Sequence, residues 1–151
     1  MIMTFFDSKG MIYSRCLAIG CKVNSDIFVE TMRAFLKAYH KKRPASKDWF
    51  LHMDNAPCHK SKVTTDFLAK KGIKLLPHPP YSPDLAPCDF WLFGKVKADL
   101  GGKLIEEETV RYEWERAVRT ISTSEFRATF NRWLEHHEKC IRVGGEYIER
   151  L

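Results

Sequence analysis

The sequence predicts an α/β domain built on a mixed β-sheet flanked by helices, and three observations carry that expectation. A strand, turn, strand pattern opens the chain, strands and amphipathic helices alternate through its middle, and helices alone fill its end. A length of 151 residues with 44% hydrophobic and 13% aromatic content suits one domain with its own core, spanning 1–151, and no repeat or linker interrupts it.

The elements follow in order. Ile2 to Phe6 is an apolar run ended by Asp7, Ser8-Lys9-Gly10 is a turn signal, and Met11 to Leu17 is a second run, which together read as a β-hairpin. Cys21 to Val23 reads as a short third strand before Asn24-Ser25-Asp26, any of which can cap a helix. Phe28, Met32, Phe35, Leu36 and Tyr39 then recur at helical spacing, until His40-Lys41-Lys42-Arg43-Pro44 ends the helix with cations and a proline. Trp49 to Met53 reads as a buried strand that delivers Asp54 at its carboxyl end, with Asn55-Ala56-Pro57 breaking the run. Lys60 to Lys71 fits a short helix closed by Gly72, and Ile73 to Leu76 the strand after it. Five prolines between Pro77 and Pro87 dictate a rigid loop. Asp89 to Leu100, Glu106 to Ile121 and Ser124 to Arg142 read as helices, the last burying Phe126, Phe130, Trp133 and Leu134 before Gly144-Gly145 ends it.

Charge and cysteine usage bound the partners. Twenty-five Lys and Arg against 19 Asp and Glu give a formal charge of +6, which favours polyanions through counterion release. No apolar run reaches the roughly 18 residues of a membrane span, and the start lacks the pattern of a signal peptide, so the expectation is an intracellular protein without a membrane partner. Five cysteines, Cys16, Cys21, Cys58, Cys88 and Cys140, form no Cys-x-x-Cys pair and are expected reduced. A zinc site from Cys58, His59 and Cys88 matches no finger spacing.

Three aspartates stand where this layout can gather them: Asp7 ends the first strand, Asp54 ends the central strand, and Asp89 opens a helix after the proline loop. Strand ends at one sheet edge are where catalytic carboxylates collect. Three carboxylates suit one or two magnesium ions, which keep positions open for phosphate oxygens. Taken singly, an aspartate at a strand end or helix start is more often a turn former or cap.

The surrounding residues shift that balance. His52-Met53-Asp54-Asn55-Ala56-Pro57-Cys58-His59 and Tyr81-Ser82-Pro83-Asp84-Leu85-Ala86-Pro87-Cys88-Asp89-Phe90-Trp91-Leu92-Phe93 resemble the two signature blocks of mariner-type transposases. Positions 55 to 88 place 34 residues between Asp54 and Asp89, the interval that names the D-D-34-D subset. Phe5-Phe6-Asp7-Ser8-Lys9-Gly10, Val23-Asn24-Ser25, Trp133, Lys139-Cys140-Ile141 and Gly145-Glu146-Tyr147-Ile148-Glu149 extend the resemblance over essentially the whole chain.

The resemblance implies an RNase H-like fold with Asp7, Asp54 and Asp89 as catalytic triad and as ligands of Mg2+ or Mn2+, one or two ions. It implies DNA as the partner, cut by metal-assisted hydrolysis and joined to a target at a TA step, with dimerisation and a nuclear location as further implications. The family's two amino-terminal helix-turn-helix units have no counterpart here, so the expected DNA binding is weak and indifferent to sequence. A catalytically inactive nucleic-acid-binding remnant, and a nuclease of the same fold acting on RNA, are the alternatives.

Other residues have smaller expected roles. Asn55 and His59, close behind Asp54, are candidates to face a scissile phosphate, while His52 reads as structural. His40, Lys41, Lys42, Arg43, Lys60, Lys62, Lys70, Lys71, Lys74, Lys95 and Lys97 are candidate DNA contacts, and equally a solvated charged face. Asp84 reads as a turn aspartate that satisfies local backbone donors, outside any metal site. Phe90 and Trp91 read as core before base-stacking residues.

Overall fold

The computed structural model describes residues 1–102 and 106–148, and Glu149, the last residue of one resembling segment, lies outside them. The chain divides into two compact units, one of Met1–Phe5 with Ile12–Pro80, the other of Phe6–Met11 with Tyr81–Leu151.

β1 (Ile2–Asp7) pairs with β2 (Gly10–Cys16), and all of this hairpin but its tip, Phe6–Met11, belongs to the first unit. Met1 and Leu17 exchange both backbone bonds at 3.2 and 2.8 Å, the Thr4 and Ser14 hydroxyls meet at 3.3 Å, and the Phe5 and Tyr13 rings lie 6.4 Å apart. All three pairs sum to 18, so the hairpin is antiparallel with one register. The expected strand over Cys21–Val23 does not form. Cys21 N–H instead closes a turn on the Ala18 carbonyl at 3.1 Å, and Asn24 Oδ1 accepts the Ile27 N–H at 2.9 Å to cap α1 (Ser25–Lys42).

The expected stripe on α1 is buried: Phe28, Met32, Phe35 and Tyr39 enter a core with Ile12, Leu51, Phe67 and Leu68, and Leu36 packs at its margin. The stretch expected as one helix from Lys60 is divided at Ser61 into α2 (Pro57–Lys60) and α3 (Lys62–Lys70), because the Ser61 hydroxyl accepts the Thr64 N–H at 3.2 Å and restarts the helix. β3 (Phe50–His52) and β4 (Lys74–Leu76) pair in parallel with Leu51 opposite Leu75. The antiparallel and parallel pairings of a mixed sheet are both present, as two two-stranded ladders. Leu51 is buried while Phe50 and all of β4 are exposed, so β3, expected as a central strand, is one of a two-stranded pair covered on one face only.

α1 serves as a ruler for β3. Phe28, near its start, packs on the His59 ring at 4.5 Å, whereas Trp49 packs on Phe35 and Tyr39 at 5.9 and 4.7 Å, two to three turns later. β3 follows Trp49 and leads to Asp54, which bonds His59, so β3 runs against α1 and delivers Asp54 toward the start of that helix. The hairpin meets the same helix at its middle. Phe5 stacks on Phe35 at 4.5 Å, and Arg15 reaches Thr31 and Glu30, each at 3.0 Å.

In the second unit, Phe6 packs between Trp91, Phe126 and Phe130 at 6.2, 5.8 and 6.0 Å. The proline loop contains a single tight turn at Pro83–Leu85, followed by a wide helical turn at Cys88–Leu92 that runs into α4 (Phe93–Leu100). Gly101 closes α4 at φ 59°, a left-handed conformation that favours glycine. α5 (Val110–Arg119) starts four residues later than expected, since the Glu106 carbonyl takes both the Thr109 and Val110 N–H groups in a turn. α6 (Thr123–Arg142) buries Phe126 and Thr129 and half-buries Phe130 and Trp133, but Leu134 is 62% exposed. The correction is one of phase: 126, 130 and 133 cluster within about 60° of arc, and 134 lies about 40° beyond 130, at the uncovered edge of that stripe.

Ser122 and Glu125 form a reciprocal cap on α6, and Lys95 Nζ reaches Glu125 Oε1 at 2.6 Å. The Lys95 hydrogen bond, with the Ser122 backbone and hydroxyl behind it, holds the Glu125 carboxyl down to about 2. The folded value lies below the usual one of 4.5, so this stabilisation is complete above pH 4.5 and disappears as pH falls toward 2. Lys95→Gln is expected to lower Tm at pH 7, with the gap to the parent closing between pH 4.5 and 2; a gap constant over that range counts against the pair.

Candidate functional site

Asp54 stands two residues beyond β3, where Asn55-Ala56-Pro57 turns the chain into α2. Its Oδ1 accepts the Ala56 N–H at 3.0 Å and faces His59 Nδ1 at 2.7 Å, and the same Nδ1 is 3.1 Å from the Asp54 carbonyl. Both partners are acceptors, so Nδ1 carries the proton. The His59 side chain is 17% exposed and that of Asp54 61%, so a half-buried imidazole steadies a carboxylate that still meets solvent. Asn55 Nδ2 donates to the His78 carbonyl at 2.9 Å, and His52 Nε2 shares a hydrogen bond with His78 Nδ1 at 3.1 Å. Asn55 and His52 thus tie the end of β3 to the loop after β4. His78 carried no periodic signal among its prolines, and only the fold reveals it.

Burial pushes the Cys58 thiol above its ordinary value, opposed by backbone hydrogen bonds and reinforced by the charge of Asp54. A protonated thiol is a poor metal ligand. None of the five cysteines is in a disulfide, and no group of three or more His, Cys, Asp or Glu side chains able to hold a metal ion occurs within either unit among the described residues.

Asp89 lies in the second unit on the wide turn Cys88–Leu92, a backbone form that recurs at functional sites. It is exposed, and its N–H bonds the Ala86 carbonyl at 2.9 Å. The loop ahead of it is fixed to α6: Trp133 Nε1 donates to the Leu85 carbonyl and His136 Nδ1 to the Asp84 carbonyl, each at 2.7 Å. Asp84 is buried, and its Oδ2 accepts the Ile148 N–H at 3.1 Å while Oδ1 has no partner among the described residues. The expected local turn bond is corrected: the carboxylate serves a donor 64 residues away. Trp133→Phe removes the donor to Leu85 and is expected to cost about 1–3 kcal/mol in urea unfolding, against under about 0.5 for an exposed site. Trp91 packs on Phe126 at 5.2 Å and Phe90 on His136 at 4.5 Å, as expected for packing residues.

Asp7 sits at the end of β1, where Oδ1 accepts the Lys9 N–H at 2.8 Å and Gly10 takes φ 130° to complete the turn. It belongs with Asp89 to the second unit, and Asp54 belongs to the first. Within the second unit one ring contact brings the two turns together: Phe6, beside Asp7, packs on Trp91, two residues beyond Asp89, at 6.2 Å.

The basic candidates divide. Lys62 pairs with Asp66 at 2.8 Å, which raises its pKa, and Lys95 pairs with Glu125 at 2.6 Å. Each of these two charges already has a carboxylate, which ranks both below the others as phosphate contacts. Lys41, Lys42 and Arg43 end α1, Lys60 ends α2 and Lys97 lies on α4, all outside the core. No described helix is long and apolar enough to cross a membrane.

A family model described as DDE superfamily endonuclease matches residues 9–111, which includes Asp54 and Asp89 and begins after Asp7. The chain is 33% identical over 159 residues to the Mariner Mos1 transposase of Drosophila mauritiana, covering 99% of this chain and 45% of that protein. It is 26% identical over 153 residues to the histone-lysine N-methyltransferase SETMAR of Homo sapiens, covering 99% of this chain and 22% of that protein. The chain thus spans less than half the length of these relatives. The solved Mos1 transposase catalytic domain with raltegravir and Mg matches at TM-score 0.92 and 27% identity, over 97% of this chain and 76% of that one. A Mos1 paired-end complex with the left transposon end matches at 0.90 and 28%, over 97% and 44%. The likeness carries the expected RNase H-like fold.

Proposed function

Because the chain belongs to the DDE superfamily endonucleases as a mariner-type transposase catalytic domain, we propose that it cleaves and joins DNA strands with Asp7, Asp54 and Asp89 as its metal-binding carboxylates. The observation that supports this best is the setting of the three side chains. Each stands on a short structured turn at the end of a strand or the start of a helix, and Phe6 on Trp91 joins the turn of Asp7 to that of Asp89. Asp54 and Asp89 both fall within the family match, with 34 residues between them.

The donor set fits a hard cation. His59 and the Ala56 N–H engage one oxygen of Asp54, which fixes the carboxylate and leaves Oδ2 for an ion. Carboxylate oxygens suit Mg2+ or Mn2+, and Mos1 structures hold each of these. Such an ion supplies charge stabilisation at phosphorus and acidifies water. The chain's own groups orient and hold: Trp133 and His136 fix the loop before Asp89, and Asn55 and His52 fix the Asp54 turn.

A specific observation favours a second reading, DNA binding without cleavage. Asp7 and Asp54 each spend one oxygen on a local backbone N–H, as turn aspartates do, and the family match begins only after Asp7. DNA is the proposed partner in both readings, contacted without sequence preference, with a nuclear location and a homodimer as parts of the same proposal. Supercoiled plasmid incubated with Mg2+ or Mn2+ decides between them: nicking that EDTA abolishes supports cleavage, and retention of plasmid with no nicking at any metal concentration supports the second.

A further inference from the structure

Trp49 marks the end of β3 away from Asp54, about 16 Å distant along an extended chain of five residues. Around it the first unit encloses a cleft of about 420 Å3, a volume in the usual range of ligand sites. Leu36, Trp49 and Ile73 give it an apolar floor, and Lys37, Lys47, Lys71 and Lys74 stand at its rim with Asp48. Three elements bring these together. Lys37 projects from the later half of α1, Lys47 precedes β3, and Lys71 and Lys74 flank Gly72, whose φ of 63° turns the chain from α3 into β4.

The charges are unbalanced. Asp48 pairs with Lys74 at 2.5 Å, and Lys37, Lys47 and Lys71 have no carboxylate partner among the described residues. Three unpaired ammonium groups around one concavity repel one another and lower the cost of binding an anion there. The cationic rim suits phosphate oxygens, and the apolar floor suits the sugar between them. A metal-independent contact of this kind holds DNA without cutting it.

We propose that this cleft is a second nucleic-acid contact, which seats the sugar–phosphate backbone of duplex DNA at the end of β3 away from Asp54. It rests on DNA as the partner, does not depend on cleavage, and stands whether or not Asp54 binds metal.

The test is the anisotropy of a fluorescein-labelled 20-base-pair duplex of arbitrary sequence in EDTA, from 50 to 200 mM salt. Lys37→Glu with Lys71→Glu lowers the formal charge from +6 to +2, as does the control Lys22→Glu with Arg142→Glu. The cleft variant is expected to bind at least ~10-fold more weakly at 50 mM, with a salt slope shallower by about 2, close to 0.9 for each phosphate no longer neutralised. The control is expected to stay within about threefold. Far-UV circular dichroism checks folding, and Lys37→Gln with Lys71→Gln gives a milder loss of the same sign. An unchanged slope in the cleft variant, or an equal loss in the control, overturns the proposal while leaving DNA as the partner. A parent chain that fails to bind the duplex at all overturns both. A single-stranded RNA of the same length whose binding responds to the cleft variant when the duplex does not overturns the cleft proposal and leaves DNA as the partner.

Discussion

Asp54→Ala and Asp89→Ala should each reduce metal-dependent nicking of supercoiled DNA by more than about 100-fold, since loss even of a group behind a metal ligand costs 10- to 100-fold. Both side chains are exposed, so neither change removes core packing, and Tm is expected to move little. Asp7 separates the two readings of the trio. Asparagine accepts the Lys9 N–H as aspartate does, so Asp7→Asn preserves the turn and removes only the charge. A loss comparable to that of Asp54→Ala is expected, because a ligand needs the charge and a turn does not. Activity within about threefold of the parent would confine Asp7 to the turn and sink the three-carboxylate site. Mn2+ binding followed by electron paramagnetic resonance gives the same comparison without turnover, with weaker binding expected in all three variants.

What the sequence made legible was periodicity and punctuation. The α1 stripe of Phe28, Met32, Phe35 and Tyr39 is readable because four residues at helical spacing select one face, whatever the rest of the chain does. Asn24 and Pro57 act as helix starts through local chemistry, Asn24 by a side-chain oxygen that accepts the Ile27 N–H and Pro57 by a ring that presets the first helical φ. Spacing between Asp54 and Asp89 is likewise a property of the chain alone. Three-dimensional pairings were not legible. Nothing near Asp84 signals that its acceptor faces Ile148. The meeting of Phe6 with Trp91 is a similar case, because two aromatic residues separated by most of the chain carry no mark of which ring each will meet. Leu134 shows the limit within one helix: it stands four residues after Phe130 at the edge of the stripe, and spacing does not tell that this edge is uncovered.

Phe35→Ala should be the most destabilising single change in the first unit. Its ring is 3% exposed and touches three aromatic partners, Phe5 at 4.5 Å, Tyr39 at 5.7 Å and Trp49 at 5.9 Å. Those partners belong to β1, to α1 itself and to the segment entering β3, so one cavity loosens the hairpin and β3 together. Truncating a buried phenylalanine costs about 3–5 kcal/mol, and paired aromatic contacts add ~0.5–1.5 kcal/mol each beyond area. Against a usual total of about 5–15 kcal/mol, much of the stability margin disappears. Urea denaturation followed by tryptophan fluorescence is expected to show a lower midpoint with an unchanged m-value, and Phe35→Leu to recover about half the loss because most of the volume is restored. A cost below about 1 kcal/mol for the alanine variant is incompatible with Phe35 joining the strands, since that is the range of ordinary surface change. The same variant links packing to chemistry: Asp54 is delivered by β3, and a loosened β3 should weaken Mn2+ binding even where the protein remains folded.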